Sequence, residues 1–232
     1  MVVERLAVRL FAGIDDTPLR EEVVGWLQGS TRFRGFAEAN ADKIHKKLRG
    51  ATADPETRRD VRAELRVAHL LLADRRIELA FEAYGSGRAG PDFTVTFRRS
   101  RAFNVEVTRL RRASPEGAGR GQFLAKLHQL PPSVPNALVI AIEGESATAV
   151  DVVAAVRDLR GRADRKDEAF FVNRGFDGTR SFYDRFLRLG AVLVWSEDAP
   201  AEARSTLWLN PSARIPLPDR AGSACLACLR AA

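Results

Sequence analysis

Cysteine is nearly absent. Cys225 and Cys228 are the two in the chain, and one close-set pair builds no disulfide framework. The pair supplies half of a structural zinc site at most, since such a site wants four ligands. The three histidines add nothing: His45 and His128 lack a partner at ligand spacing, and His69 lies in an apolar stretch where a core role is expected. Also lacking is an apolar run of the roughly 18 residues that a membrane helix needs. Arginines interrupt the opening "MVVERLAVRLFAGID", where a signal core would lie. The expectation is therefore a cytoplasmic protein with no membrane association. There is no internal repeat and no low-complexity tract. The stretch "GSGRAG" has no phosphate-loop lysine, which argues against nucleotide hydrolysis. No Ser-His-Asp arrangement is legible.

What the chain does have is hydrophobic content and positive charge. With 232 residues and 45% hydrophobic side chains it can bury a sizeable core, as one α/β domain or one domain with extensions. The net charge is +7, and the surplus is mostly arginine, whose planar fork of donors suits phosphate.

The first ~50 residues read as a helical extension. Thr17 and Pro18 start "TPLREEVVGWLQ", and "RFRGFAEANADKIHKKLRGA" continues as a second amphipathic helix. Its Lys43, Lys46 and Lys47 are expected on a solvated face. Asp54 and Pro55 cap a long helix running to about Asp74, apolar enough from Val67 to Ala73 to lie against a sheet. Strands are predicted at "IELAFEAY", "DFTVTF" and "AFNVEVTRL", then a helix at "GQFLAKLHQL" and a buried strand at "NALVIAIEG". A helix at "ATAVDVVAAVRDLRG", a short strand at "AFFVN", a helix at "SFYDRFLRLG" and a strand at "AVLVWSE" follow. "TLWLNPSARIPLP" reads as a strand and an extended segment with Trp208 and Leu209 in the core. Three near-consecutive strands followed by αβ alternation imply a mixed sheet covered by helices. The division expected is an extension over 1–50, an α/β domain over 51–220 and a tail over 221–232.

Two acids stand out against this background. Strand alternation puts Asp92 on one face with Thr94 and Thr96, and Glu106 on one face with Asn104 and Thr108. If the two runs pair, the acids sit side by side. A carboxylate flanked by valines, as Glu106 is, is costly to bury unless paired or liganded.

An acidic helix residue (Glu64), a strand opened by Pro91-Asp92 and a strand carrying "EVT" at 106–108 together resemble the PD-(D/E)XK, or restriction-endonuclease-like, nucleases over roughly residues 40–145. The resemblance implies an α/β fold with a mixed central sheet and flanking helices. It implies a Mg²⁺ (or Mn²⁺) ion held by Asp92, Glu106 and the Val107 carbonyl, with Glu64 holding a metal water or a second ion. It also implies phosphodiester hydrolysis on nucleic acid, with DNA as the expected partner and a homodimer left open. The departure is Thr108, where the family has lysine. Lys126 is the proposed substitute, with Gln122 one helical turn earlier, since some branches of the superfamily carry the lysine on the following helix. Arg109 is a poor substitute because alternation turns it away from Glu106.

Residues 98–126 hold eight basic side chains against two acids. Arg98, Arg99, Arg101, Arg109, Arg111, Arg112 and Arg120 are the expected phosphate contacts, giving sequence-independent affinity that falls with salt. Nothing resembles a base-reading helix. The rival expectations are a catalytically degenerate nuclease fold that only binds nucleic acid, and a protein-interaction module with a basic surface.

Overall fold

The computed structural model describes residues 2–84, 90–110, 118–143 and 147–231, with the side chains of 118–122 and 149 outside the description. Among these residues the centre is a six-stranded mixed sheet in sequential order, β1 (Ile77–Phe81), β2 (Phe93–Phe97), β3 (Arg101–Arg109), β4 (Asn136–Ile142), β5 (Leu189–Ser196) and β6 (Ser205–Leu209). Hairpin-type antiparallel pairs join β1 to β2, β2 to β3 and β5 to β6, while β3, β4 and β5 run parallel. Parallel neighbours need a crossover. It is supplied between β3 and β4 by α6 (Ala118–Leu127), and between β4 and β5 by α7 (Val152–Asp164), α8 (Glu168–Val172) and α9 (Thr179–Phe186). The β4 and β5 strands are buried along their whole length, the expected state of parallel strands covered on both faces.

Each face of the sheet has its own core. One face, with Phe93, Val95, Phe97, Phe103, Val105 and Val107, packs on α1 (Val2–Leu10), α2 (Thr17–Gly29), α3 (Thr31–Ala39), α4 (Ala41–Gly50), α5 (Pro55–Leu71) and α10 (Asp219–Arg230). The other face, with Leu138, Ile140, Val192 and Val194, packs on α6 to α9. The expected α/β class with a mixed, helix-flanked sheet is therefore present.

Several elements differ from the sequence expectation. The first fifty residues are not an appendage: Leu6, Trp26, Phe33, Phe36, Ile44 and Leu48 belong to the same core as β2 and β3, and Phe36 meets Phe81 and Phe93 at ring distances of 6.0 and 6.3 Å. The single helix predicted over the second half of that region is broken at Asn40. Its side-chain amide nitrogen donates to the Phe36 carbonyl at 2.8 Å, beside the bond that its own backbone N–H makes to the same oxygen at 3.1 Å. "AFFVN" is α8, not a strand. Asp167 caps it by accepting from the Phe170 N–H, and Phe171 is buried against Phe176 and Phe182. The predicted tail forms α10, whose Cys225 and Cys228 are buried as apolar groups, burial pushing both thiols up. Leu209, expected in the core, is exposed at the end of edge strand β6, whereas Trp208 rests on Phe186 at 6.5 Å.

Candidate active site

The β2–β3 register decides where the two acids meet. Phe93 pairs with Val105, so the next residues outward, Asp92 and Glu106, face each other just beyond the last pair of that ladder. Pro91 has no N–H to offer a neighbouring strand, and β2 starts two residues later, while β3 continues to Arg109 alongside β4. The free edge of β3 is taken up by a side chain: the Val107 N–H donates to Asp92 Oδ2 at 2.8 Å. In an extended strand the N–H and C=O of one residue project from the same edge. The Val107 carbonyl is thus turned toward Asp92.

Two lysines come in from helices on either side. Lys126, in the last turn of α6, lies with Nζ 2.5 Å from Glu106 Oε1. Lys47, in α4, lies with Nζ against Glu64 Oε2, 3.1 Å from Asp92 Oδ1 and 3.8 Å from Glu82 Oε1. Rotating the Gln129 amide end for end lets its nitrogen donate to Glu106 Oε2 at 3.1 Å. Glu64 is placed by α5, which the Asp54 side chain starts by accepting from the N–H groups of Glu56 and Thr57 at 3.1 Å. Lys47, Glu64, Val107 and Lys126 line a cleft of about 470 Å³ together with Asp60, Thr108 and Arg109, and Asp92 and Glu106 adjoin it through Lys47 and Lys126.

Burial sets the electrostatics. Glu106 is 1% exposed, and Glu64 and Asp92 are also buried. Desolvation, reinforced by the charge of Asp92, pushes the Glu64 carboxyl up to about 8 and the Glu106 carboxyl up to about 7. Desolvation works against the charge on both lysines, but the acids outweigh it. Lys47 is raised by Glu64 and Asp92, and Lys126 by Glu106 and Asp92. Four carboxylates, Glu64, Glu82, Asp92 and Glu106, stand around the two ammonium groups, an acidic excess that protons or a cation would offset.

The arrangement suits a hard divalent cation on its donor chemistry. The Asp92 and Glu106 carboxylates and the Val107 carbonyl are oxygen donors, and Mg²⁺ takes one or two carboxylates and fills its octahedron with water and phosphate. Among the described residues no group of three or more His, Cys, Asp and Glu side chains is disposed to hold a metal ion. Lys47 is bound to Asp92 as well as to Glu64, and Lys126 to Glu106, so a cation there would have to share these carboxylates with the two lysines.

Sequence reasoning named Glu64, Asp92, Glu106, Val107 and Lys126, and all five line or adjoin this cleft. Lys47 was missed as a solvated lysine. Its signal was position: Ala41, Ile44 and Leu48 mark the buried stripe of α4, and Lys47 lies three residues from Ile44 on that stripe. Arg109 is 4% exposed and is enclosed by acids, with Glu56 Oε2 at 2.5 Å, Asp60 Oδ1 at 3.2 Å and Glu143 Oε1 at 3.5 Å. It braces α5 against β3 and is not a surface phosphate contact. Arg98, Arg99 and Arg101 are exposed at the other end of the β2–β3 hairpin, roughly 17 Å from the acids at about 3.4 Å per residue. Arg111 and Arg112, with the side chains of Arg120 and Gln122, lie outside the described residues. His69 is a core histidine as expected, stacked on Trp26 at 5.6 Å and within 3.1 Å of Arg66.

Searches with the chain against family models, curated proteins and solved structures return no match. No helix among the described residues is long and apolar enough to cross a membrane.

Proposed function

We propose that the protein is a metal-dependent phosphodiesterase acting on nucleic acid, built on a restriction-endonuclease-like core. The observation that carries this reading is the linkage of Asp92 and Glu64 through Lys47, and of Glu106 through Lys126, beside one cleft at the point where β2 begins and β3 continues. Order along the chain supports it as well: an acid on α5, Pro-Asp before β2, a glutamate on β3, and a lysine on the helix that follows.

In this reading Asp92, Glu106 and the Val107 carbonyl hold Mg²⁺ or Mn²⁺. When bound, such an ion lowers the pKa of a water and offsets charge building on the phosphate oxygens. The remaining work falls to the protein. Asp92 is fixed by the Val107 N–H, so its second oxygen keeps a defined direction. Lys126 is anchored by Glu106 and supplies a positive donor to a phosphate oxygen as charge develops there, the service that Thr108 cannot give. Water adds to phosphorus and gives its proton to solvent or to a cleft carboxylate, the P–O bond to the sugar oxygen breaks, and that oxygen leaves as a hydroxyl by taking a proton from solvent. Glu64, raised by burial and not among the ligands in this reading, is the carboxylate that accepts a proton near neutral pH.

A second reading is favoured by one observation. Lys47 stands between Glu64 and Asp92 and neutralises them without any metal, the state expected of a nuclease fold that binds nucleic acid but no longer cuts it. One experiment separates the two. Labelled single- and double-stranded DNA and RNA are incubated with the full chain in Mg²⁺, in Mn²⁺ and in EDTA, beside Asp92→Asn. Cleavage that needs the metal and is lost in Asp92→Asn supports the nuclease. Binding without cleavage in either metal supports the degenerate fold.

A further inference from the structure

Many arginines of this basic chain are committed to nearby acids. Arg9 holds Asp42, Arg62 holds Glu22 and Glu197, and Arg76 holds Asp74. Arg98, Arg101 and Arg220 are arranged otherwise. They line one pocket of about 200 Å³ with Phe97, Ser100 and Pro218. Among the described residues none of the three has a carboxylate partner, while the neighbouring turn residue Arg99 pairs with Glu78 at 3.7 Å and Arg76, over the Phe97 ring, pairs with Asp74. Guanidinium groups brought together without an acid repel one another, and an anion removes that repulsion.

The backbone takes on a cost to present them. The β2–β3 hairpin turns through Arg98 and Arg99, both left-handed with φ of 51° and 58°, and the Ser100 N–H closes the turn on the Phe97 carbonyl at 3.3 Å. Two positive φ values mark the turn type that favours Asn-Gly, because a side chain crowds the backbone there. Arginine occupies the first of these positions, with its guanidinium over the Phe97 ring at 5.5 Å. From the opposite side, α10 begins at this pocket with Pro218 before it and no side chain capping its first turn, so the helix end adds to the positive field. Asp219 of that turn does not line the pocket. The volume suits a tetrahedral anion and is below that of clefts that take drug-sized ligands.

We propose that Arg98, Arg101 and Arg220 form a binding site for a backbone phosphate of a nucleic-acid strand. The pocket stands on its own observations, but its place on a substrate rests on the nuclease reading. About 17 Å of strand separates it from Asp92 and Glu106, which corresponds to about five base pairs of duplex DNA at 3.4 Å each.

The test uses the full chain in EDTA, so that cleavage plays no part, with a fluorescein-labelled 16-nucleotide single strand and inorganic phosphate as separate probes. The variant is Arg98→Gly combined with Arg101→Ala and Arg220→Ala. Glycine suits the turn, so the melting temperature should hold or rise and unfolding cannot explain a loss. Oligonucleotide binding should weaken at least 10-fold, and the slope of log affinity against log salt should fall by about 0.7, the value for one phosphate of a single strand. Equal binding by wild type and variant overturns the site. Binding of inorganic phosphate by wild type with no binding of the oligonucleotide overturns the backbone assignment. Arginine-sensitive binding in a protein that never cleaves with metal leaves this site standing and removes the nuclease.

Discussion

Glu106 is buried between two valines with Lys126 as its cationic partner, and Lys126 reaches it from a different element, so the pair is both a structural and a chemical unit. Lys126→Ala should slow metal-dependent cleavage by about 10²-fold, the scale of losing one transition-state donor, and should change oligonucleotide affinity by less than about 2-fold. Single-turnover rates beside a binding titration in EDTA check both halves. Cleavage equal to wild type removes Lys126 from the chemistry. A second residue-scale outcome concerns His69. Burial, helped by Arg66, lowers it from 6.5 to about 4. Between these values the unfolded chain binds the proton more readily, so the contribution is complete above pH 6.5 and is lost as pH falls toward 4. It amounts to about 1 to 3 kcal/mol. Urea midpoints at pH 7 and pH 4.5 should differ less in His69→Gln than in wild type. The acids were legible because alternation gives each strand residue a face. Lys47 was not, because a lysine among lysines has the pattern of solvent exposure until the buried stripe of its helix is traced.

Among the elements, α5 does the most positioning. It carries Glu64 into the cleft, and its N-terminal turn receives Arg109 through Glu56 and Asp60. Asp54→Ala removes the acceptor for two N–H groups at its start and should cost about 1 kcal/mol of stability, read as a lower urea midpoint with the slope unchanged. No change in midpoint would mean that Arg109 and the tertiary packing hold that turn unaided. The Asp54-Pro55 start of this helix was legible, since both residues have chemical reasons to stand there. The region of α8 was not. Two phenylalanines and a valine in five residues have a strand's composition, and the single Asp167 cap together with burial of Phe171 in the second core turns them into a helix. Arg109 was assigned to the correct face of β3, but its three acidic neighbours come from 49 and more residues away or across the sheet, beyond what local pattern can disclose.

At the scale of the whole molecule, the two cores divide the labour. The sheet face toward α1 to α5 holds Lys47 and Glu64, and α6, on the other face, delivers Lys126. The cleft is walled by α4 and α5 from one layer and α6 from the other, over residues 107–109 of β3. Residues 1–50 supply Lys47 and a large part of the first core, so a chain beginning at residue 51 should show no cooperative thermal transition by circular dichroism; a sharp transition near that of the full chain would make those residues an extension after all. Helix periodicity foretold that α1 to α4 are helical, but not that their apolar stripes cover the sheet, because amphipathicity says that a face is buried and is silent on what buries it.

The central claim is that Asp92 and Glu106 form a divalent-cation site, and direct Mn²⁺ binding tests it without reference to substrate or turnover. Titration followed by the Mn²⁺ electron paramagnetic resonance signal should show saturable uptake by wild type. Asp92→Asn and Glu106→Gln should each weaken that uptake at least 10-fold, and Lys47→Met, which frees Glu64 and Asp92 from their resident ammonium, should strengthen it. Uptake by Asp92→Asn and Glu106→Gln equal to that of wild type, or no uptake by wild type at millimolar Mn²⁺, would contradict the account.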